Sequence, residues 1–255
     1  MVDIPIKREI QGGLTNAIEV EDLVKNYGDV QALKGLNLKV EPGQVYGFCG
    51  PNGAGKTTTL KILVGLVFPT RGSAKIAGID VIKNGVEARR LIGYLPESYG
   101  LPRWDTPRKF LTYMGILSGM PKDGLKLVIE EKAKEFGFAD IIDRKLSGIS
   151  KGNRQKIGIA QALMHDPQVL LLDEPTTGLD PIGRNEVLAQ MKNLSKKGKT
   201  VLFSTHILSD VEKICDNVGI IHKGSLVLEG EPEALKREHG KKDFDELFLK
   251  VAGHE

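Results

Sequence analysis

The chain of 255 residues carries 36 Lys and Arg against 33 Asp and Glu, a formal net charge of +3, and 40% of its residues are hydrophobic. This composition is typical of a globular protein with a large core; it excludes an intrinsically disordered chain, and the small net charge gives no reason to expect a nucleic-acid partner. The longest apolar run, residues 62–68, is far shorter than the roughly 20 residues that cross a membrane, and no apolar signal sequence follows Met1, so we expect a soluble, cytoplasmic chain.

Strand patterns and one glycine-rich loop dominate the first hundred residues. Residues 1–16 show no periodicity, which predicts an N-terminal extension ahead of the first strand. Three segments with strand patterns follow, and then a helical pattern and a group of shorter elements. We predict strands over 17–23, 36–40 and 44–49, a helix over 56–65, and short strands with a helix at 86–91 between residues 70 and 95.

The rest of the chain alternates helical and strand patterns. Between about residues 98 and 165 the apolar period is helical, with one run over 125–136. Residues 169–172 are an uninterrupted apolar segment, which predicts a strand buried in a parallel sheet. After it we predict a helix over 182–196, a strand over 200–204, a helix over 208–214 and a hairpin of strands 218–222 and 225–229.

The loop between the third strand and the first helix is a phosphate-binding motif. Residues 50–57 fit Gly-x-x-x-x-Gly-Lys-Thr in the strand-to-helix context that this motif requires. Its glycines let backbone N–H groups converge on phosphate oxygens at a helix N-terminus, Lys56 supplies a charge for the β and γ phosphates, and Thr57 offers a hydroxyl to Mg²⁺. The motif predicts a nucleoside triphosphate site formed by Gly50, Pro51, Asn52, Gly53, Ala54, Gly55, Lys56, Thr57 and Thr58.

Two carboxylates follow the buried apolar strand at residues 169–172. Asp173 ends that strand at the sheet edge where ligands bind in open α/β sheets, so we expect it to hold Mg²⁺ directly or through water. Glu174 comes next and is placed to orient and deprotonate an attacking water molecule. Beside the phosphate loop, this pair favours hydrolysis of the nucleotide.

The combined motifs resemble the ATP-binding subunit of an ABC transporter over nearly the whole chain. Residues 50–58 resemble the family's Walker A loop, and residues 173–181 resemble its Walker B segment running into the D-loop. The resemblance implies ATP and Mg²⁺ as cofactors and a switch histidine at His206, after the next strand. It also implies a nucleotide contact by Asp180 and an aromatic residue, Tyr27, that stacks on adenine.

The expected fold class is α/β: a P-loop NTPase core with a mostly parallel sheet, an N-terminal antiparallel β subdomain and an inserted α-helical subdomain. We expect an ABC ATPase domain over 17–240, with the helical subdomain at about 98–165, between the extension over 1–16 and a C-terminal tail over 241–255. Residues 244–251 of the tail have apolar residues at helical spacing, a pattern that fits docking on their own domain or on a partner.

The family's signature segment, Leu-Ser-Gly-Gly-Gln, fits two frames of this sequence. Residues 146–150 match it at first glance. The second frame, residues 149–153, keeps the family's usual separation between the signature serine, here Ser150, and Asp173, and a Gln before a basic residue follows it. We therefore choose the second frame.

The resemblance implies that the signature binds the γ-phosphate of a nucleotide held by another subunit. In the chosen frame Ser150, Gly152 and Asn153 have this role, and a hydroxyl with free helix N–H groups suits it. Lys151 and Asn153 depart from the family's Gly and Gln. The alternative is that Ser150 only caps the helix that follows.

Residues 92–97 resemble the family's Q-loop, but Glu97 stands at the glutamine position. Glutamine contacts Mg²⁺ and the attacking water without adding charge. A carboxylate can also ligate Mg²⁺, although it places a second negative group near the γ-phosphate. We therefore expect Glu97 to act in catalysis and to sense the metal.

The partners follow from the resemblance and from the missing membrane segment. We expect a second ATPase subunit, identical or different, that closes head to tail on ATP, and separate transmembrane permease subunits that keep the chain at the cytoplasmic face of the membrane. Residues 98–104 contain the only tryptophan and are the expected permease contact, because aromatic residues with Arg favour interface cores. Packing of Trp104 inside the helical subdomain is the alternative.

Two functions remain open on the sequence. The first is an ATP-hydrolysing subunit that drives transport, with export favoured by a likeness to exporter ATPases that have separate subunits. The second is a soluble, non-transport ABC ATPase in an assembly, repair or translation machine. A single compact unit of this length fits the transporter subunit better, because the soluble machines are expected to carry tandem units, a long coiled-coil insertion or a basic groove.

Overall fold

Two β-sheets with flanking helices make up the computed structural model, which describes residues 16–252. The strands are β1 (Ile18–Tyr27), β2 (Val30–Val40), β3 (Val45–Cys49), β4 (Arg71–Ile76), β5 (Ile79–Asp80), β6 (Ile92–Leu95), β7 (Val169–Asp173), β8 (Thr200–Thr205), β9 (Asn217–His222) and β10 (Ser225–Gly230). The helices are α1 (Lys56–Leu63), α2 (Gly85–Arg90), α3 (Pro107–Leu117), α4 (Leu125–Glu135), α5 (Lys151–Ala162), α6 (Pro181–Lys196), α7 (Leu208–Ile214), α8 (Pro232–His239) and α9 (Phe244–Ala252). The extension predicted over residues 1–16 lies almost wholly outside the described residues.

The first sheet is antiparallel and has the order β2-β1-β4-β5. Its strands β1 and β2 are longer than predicted, because they form one hairpin in which Tyr27 pairs with Val30. The two-residue loop between them begins at Gly28, whose φ of 56° favours glycine. The predicted strand over 36–40 is therefore only the second half of β2, whose first half is mostly exposed and lacks a clear apolar alternation.

The second sheet contains the predicted nucleotide-binding core and has the order β10-β9-β3-β8-β7-β6. All of its pairs are parallel except β9–β10, where the predicted hairpin is confirmed. Every residue of β3, β7 and β8 is buried, as expected for central strands of a sheet covered on both faces. Because these strands are parallel, their C-terminal ends meet at one edge, and the expected fold class is confirmed.

Helices α3, α4 and α5 lie between β6 and β7 in the chain and form the helical insertion. They pack around apolar side chains that include Leu111, Ile129, Phe138 and Ile157, all at most 1% exposed. The start of α3 is fixed by Thr106, whose side chain accepts a hydrogen bond from the backbone N–H of Lys109. The helical periodicity predicted for this part of the chain is therefore confirmed.

The C-terminal end of the described chain folds back onto the second sheet. Helix α9 packs against α7 and β10 through Phe244 and Leu247, which are fully buried. Helix α8 was not predicted, because it is short and its only buried residues are Pro232 and Leu235. The apolar spacing noted in residues 244–251 thus corresponds to a helix docked on its own chain.

Between residues 16 and 252, none of the helices combines the length and apolar character required to cross a lipid bilayer.

Gly93 provides a test of the contact between β6 and the helical insertion. A Cβ atom at Gly93 would lie 2.3 Å from the carbonyl oxygen of Ala162, so Gly93→Ala forces backbone to move. We expect urea denaturation to show a free energy of unfolding lower by about 1–3 kcal/mol. Gly100→Ala is the matched control, since nothing lies within 4 Å of its added methyl group. Equal midpoints for the two variants would contradict this packing.

Candidate functional site

The phosphate loop connects β3 to α1, and its glycines occupy positions that other residues cannot take. A Cβ atom at Gly50 would lie 2.3 Å from the carbonyl oxygen of Ile221. Gly55 has a φ of 115°, and its Cβ would lie 2.7 Å from Cδ2 of Leu33. The loop can therefore pass close to the strands beneath it, and α1 begins at Lys56 with its N-terminus facing the loop.

The turn between β9 and β10 supports this loop from below. Lys223 and Gly224 have φ angles of 46° and 86°, the left-handed pair expected of a tight two-residue hairpin. The backbone N–H of Gly224 donates to the carbonyl of Ala54 at 2.9 Å, and its own carbonyl accepts from the N–H of Lys34. The hairpin predicted at this position thus holds the phosphate loop against β2.

Lys56 points back into the loop that precedes it. Its Nζ atom donates to the carbonyl oxygens of Gly50 at 2.6 Å and of Pro51 at 3.3 Å. It also lies 3.4 Å from Oε1 of Glu174, and the two side chains are only 6% and 5% exposed. Because a buried charge requires a partner, this ion pair connects the phosphate loop to the end of β7.

Asp173 lies at the end of β7, fully buried, opposite Ser204 on β8. The hydroxyl of Ser204 donates to Oδ1 of Asp173 at 2.5 Å, whereas Oδ2 is buried without a hydrogen-bond partner among residues 16–252. Tyr94 on the neighbouring strand β6 stays a neutral phenol, because burial, and to a lesser degree Asp173, raises the pKa of Tyr94 to about 12. An unpaired carboxylate oxygen beside a phosphate loop fits a ligand of Mg²⁺, either direct or through water.

Glu174 is held in a conformation that directs its carboxylate toward Lys56. Its φ is 50°, a left-handed value that costs a residue other than glycine roughly 1–3 kcal/mol. The backbone N–H of Glu174 is fixed by the carbonyl and the hydroxyl of Ser204. Its Oε2 accepts from the hydroxyl of Thr177 at 2.7 Å and lies 2.8 Å from Nδ1 of His206. One carboxylate therefore joins Lys56 to His206.

A second polar cluster braces the loop that follows Glu174. Asp210 on α7 is fully buried and accepts a hydrogen bond from Thr176 at 2.6 Å. Arg184 on α6 pairs with the other oxygen of Asp210 at 2.5 Å and also donates to Ser209. Both oxygens of the buried carboxylate are thus satisfied, so α6, α7 and the loop are tied together.

The phosphate loop, Glu97 and Glu174 enclose a cavity of about 240 Å³. Glu97 is exposed, follows β6 and lines the cavity. Ala32 of β2 lines it as well. Asp173 and His206 do not line the cavity. His206 contacts Glu174, which does, and Asp173 is hydrogen-bonded to Ser204, whose hydroxyl also accepts the backbone N–H of Glu174. The structure therefore brings together Lys56, Glu97 and Glu174.

Other predicted site residues lie outside this cavity. The side chain of Ser150 accepts from the N–H of Asn153 and so caps α5, while the side chain of Asp180 accepts from the N–H of Gly183 and caps α6. Gly152 has open space around it. Tyr27 is 47% exposed at the end of β1, where Nζ of Lys25 lies 4.9 Å from its ring centroid.

Three residues of this network were missed by the sequence analysis. Ser204 contacts both acidic residues, Thr177 contacts Glu174, and Asp210 braces the following loop. Thr177 has a sequence signal, since it lies within the motif over 173–181. The contact of Ser204 depends on the register between β7 and β8, and that of Asp210 on where α7 packs; local periodicity gives neither.

The fold and the phosphate loop define a P-loop nucleotide hydrolase, and comparisons with known proteins narrow this class. Residues 33–177 match the family model described as ABC transporter. The chain is 42% identical over 221 residues to the uncharacterised ABC transporter ATP-binding protein YxlF of Bacillus subtilis, covering 87% of this chain and 73% of the relative. It is 36% identical over 218 residues to Nod factor export ATP-binding protein I of Burkholderia lata, covering 86% and 72%. The chain therefore belongs to the ABC transporter family and is an ATP-binding ATPase of that family.

Solved structures agree with this assignment. The ATP-binding subunit of an ABC transporter superposes with a TM-score of 0.82 at 30% identity, covering 92% of this chain and 99% of that chain. A dimeric ATP-binding cassette in a post-hydrolysis state with ADP and Pi gives 0.76 at 25% identity, covering 84% and 98%. The fold expected from the sequence is thus the fold of known ABC ATPase subunits.

Two cysteines provide a test of the packing around β3: Cys49, buried at the end of that strand, and Cys215, partly buried after α7. Burial raises the pKa of the Cys49 thiol. Burial is also the largest cause that raises the pKa of Cys215, and the nearby Cys49 adds to it. Both thiols therefore stay protonated at neutral and mildly alkaline pH. Because the thiolate is the reactive form, we expect Ellman's reagent to label the folded protein at least about tenfold more slowly than the urea-unfolded chain. Rapid labelling of either cysteine in the folded protein would contradict this arrangement.

Proposed function

We propose that this chain is the ATP-hydrolysing subunit of an exporter, driving transport through separate membrane subunits. The observation that carries the proposal is the buried carboxylate of Glu174, which contacts Lys56 on one side and His206 on the other. The proposed ATPase domain spans residues 17–240, with the helical subdomain at about 98–165 and the tail over 241–255.

In this proposal the phosphate loop binds the phosphates of ATP, and Lys56 neutralises the charge on the β and γ groups. Tyr27 stacks on the adenine, which its exposed ring permits. The residues that bind the phosphates are Gly50, Pro51, Asn52, Gly53, Ala54, Gly55, Lys56, Thr57 and Thr58.

Thr57, Asp173 and Glu97 would hold Mg²⁺, which when bound supplies charge neutralisation between the β and γ phosphates. The unpaired, buried Oδ2 of Asp173 supports this assignment, because Mg²⁺ prefers oxygen ligands. Thr57 and Glu97 both line the cavity beside the phosphate loop.

The proposed chemical step is hydrolysis by a water molecule that Glu174 orients. The water oxygen forms a bond to the γ-phosphorus, the bond from that phosphorus to the β–γ bridging oxygen breaks, and a water proton passes to the Glu174 carboxylate. The products are ADP and inorganic phosphate. His206 donates a hydrogen bond from Nδ1 to the Glu174 carboxylate and so keeps it in place beside the water.

A second ATPase subunit completes the site in this proposal. Ser150, Gly152 and Asn153 lie at the N-terminus of α5, outside the cavity formed by the phosphate loop of the same chain. A head-to-tail dimer would bring them, with Asp180, to the γ-phosphate held by the partner. The similarity to a dimeric cassette that contains ADP and Pi supports this arrangement.

The membrane partner is assigned to the surface around residues 98–104. Trp104 is 84% exposed in the loop before α3, so its indole is accessible to a partner rather than packed in the helical insertion. The permease would hold the chain at the cytoplasmic face of the membrane. The similarity to a Nod factor export protein supports export as the direction.

Glu174→Gln separates binding from hydrolysis. The amide retains the size of the side chain but accepts no proton, so we expect the ATPase kcat to fall by about 100-fold or more while ATP still binds. The ATP-bound dimer should then accumulate, which size-exclusion chromatography in the presence of Mg-ATP would show. Glu87→Gln on the exposed side of α2 is the control and should change none of these quantities. A monomeric Glu174→Gln protein at saturating Mg-ATP would refute the dimer.

Glu97→Gln tests the metal role of the unusual carboxylate. Replacing the charged oxygen by an amide should weaken metal binding and raise the Mg²⁺ concentration for half-maximal ATPase activity by about tenfold. Mn²⁺ binding to the nucleotide complex, followed by electron paramagnetic resonance, should weaken in parallel. An unchanged Mg²⁺ dependence and unchanged Mn²⁺ affinity would show that the carboxylate has no role beyond that of glutamine.

A further inference from the structure

The C-terminal helix α9 is fastened to α7, the helix that follows His206. Phe244 and Leu247 on α9 are fully buried, and they pack in one apolar cluster with Leu208 and Val211 of α7. Removing two large apolar side chains from water favours the docked position of the helix. Helix α9 is therefore a packed part of the domain at this point.

A polar contact also connects α9 to α7. Oε1 of Glu212 on α7 accepts the backbone N–H of Phe244, the first residue of α9, at 3.0 Å. The same oxygen lies 3.0 Å from Nζ of Lys236 on α8, which also pairs with Glu233. A negative charge at a helix N-terminus is favourable, so Glu212 joins α7, α8 and the start of α9.

The other side of α7 is fastened to the catalytic loop. Asp210 accepts from Thr176, which lies two positions after Glu174, and pairs with Arg184. Helix α7 begins at Leu208, so the backbone of His206 runs directly into it. The His206 ring is 44% exposed, and its Nδ1 lies 2.8 Å from Oε2 of Glu174. The backbone of His206 lies between the end of β8 and the start of α7, so the place of α7 is one of the two constraints on it.

We propose that α9, through Glu212 and α7, is a positioning element that holds His206 against Glu174. This inference rests on the catalytic role proposed above for His206. The contacts that carry it form one continuous path: Phe244 to Glu212 on α7, and α7 to His206 at its N-terminal side. Loosening α9 would let α7 and His206 shift without altering the phosphate loop contacts of Lys56.

The test is a pair of variants with the same chemical change. Glu212→Ala removes both contacts with α8 and α9, and we expect the single-turnover rate of ATP hydrolysis to fall about three- to tenfold with unchanged ATP affinity. Glu238→Ala on the exposed side of α8 should leave both quantities unchanged. Lys236→Met, which removes only one of the two Glu212 contacts, should give a smaller loss and serves if Glu212→Ala folds poorly.

A double-mutant cycle with His206→Ala separates positioning from general stability. If α9 acts through His206, Glu212→Ala, or Lys236→Met in its place, should cost nothing further in the His206→Ala background. Additive losses, or a loss of ATP affinity in place of rate, would overturn the inference and leave the role of His206 intact. If His206→Ala itself hydrolyses ATP at the normal rate, the catalytic role proposed for His206 fails instead.

Discussion

The buried carboxylate of Glu174 is the contact on which the rest of this site depends. It carries one charge in a place that water barely reaches, and it balances that charge with Lys56 on one oxygen and with His206 and Thr177 on the other. Removing one partner from a buried ion pair lowers the free energy of unfolding by about 3–5 kcal/mol. The phosphate loop, the end of β7 and His206 therefore stabilise one another through this carboxylate. The left-handed backbone at Glu174 is tolerated because these contacts over-determine it.

The parallel sheet explains how residues so distant in sequence come to share that carboxylate. Strands β3, β7 and β8 end at one edge, and each end leads into a functional segment: the phosphate loop, the acidic pair and the histidine. Helices then brace each segment from outside the cavity. Asp210 ties α7 to the loop after Glu174, and Glu212 ties the same helix to the end of the chain. The functional residues thus lie on short loops at one edge of the sheet, and the neighbouring helices hold these loops in place.

Sequence reasoning reached those parts of the structure that local chemistry determines. The phosphate loop, the buried strand β7 and the hairpin turn at Lys223 and Gly224 follow from residue type and spacing within a few positions. The first half of β2 and helix α8 were missed because neither shows a clear apolar periodicity. The first half of β2 forms because it pairs with β1 across a two-residue loop, and α8 is held by its two buried residues, Pro232 and Leu235. Ser204 escaped prediction for a different reason, since its contact with Asp173 exists only in the register of two strands.

The position of Trp104 gives the molecule a built-in optical reporter. It is the only indole in the chain, and it is 84% exposed in the loop between β6 and α3. Its fluorescence therefore arises from one known place on the surface and carries no background from other tryptophans. Emission from such a side chain is that of an indole in water, and it moves to shorter wavelength when a partner covers it. Contact at the helical insertion can thus be followed by light, with no label attached to the protein.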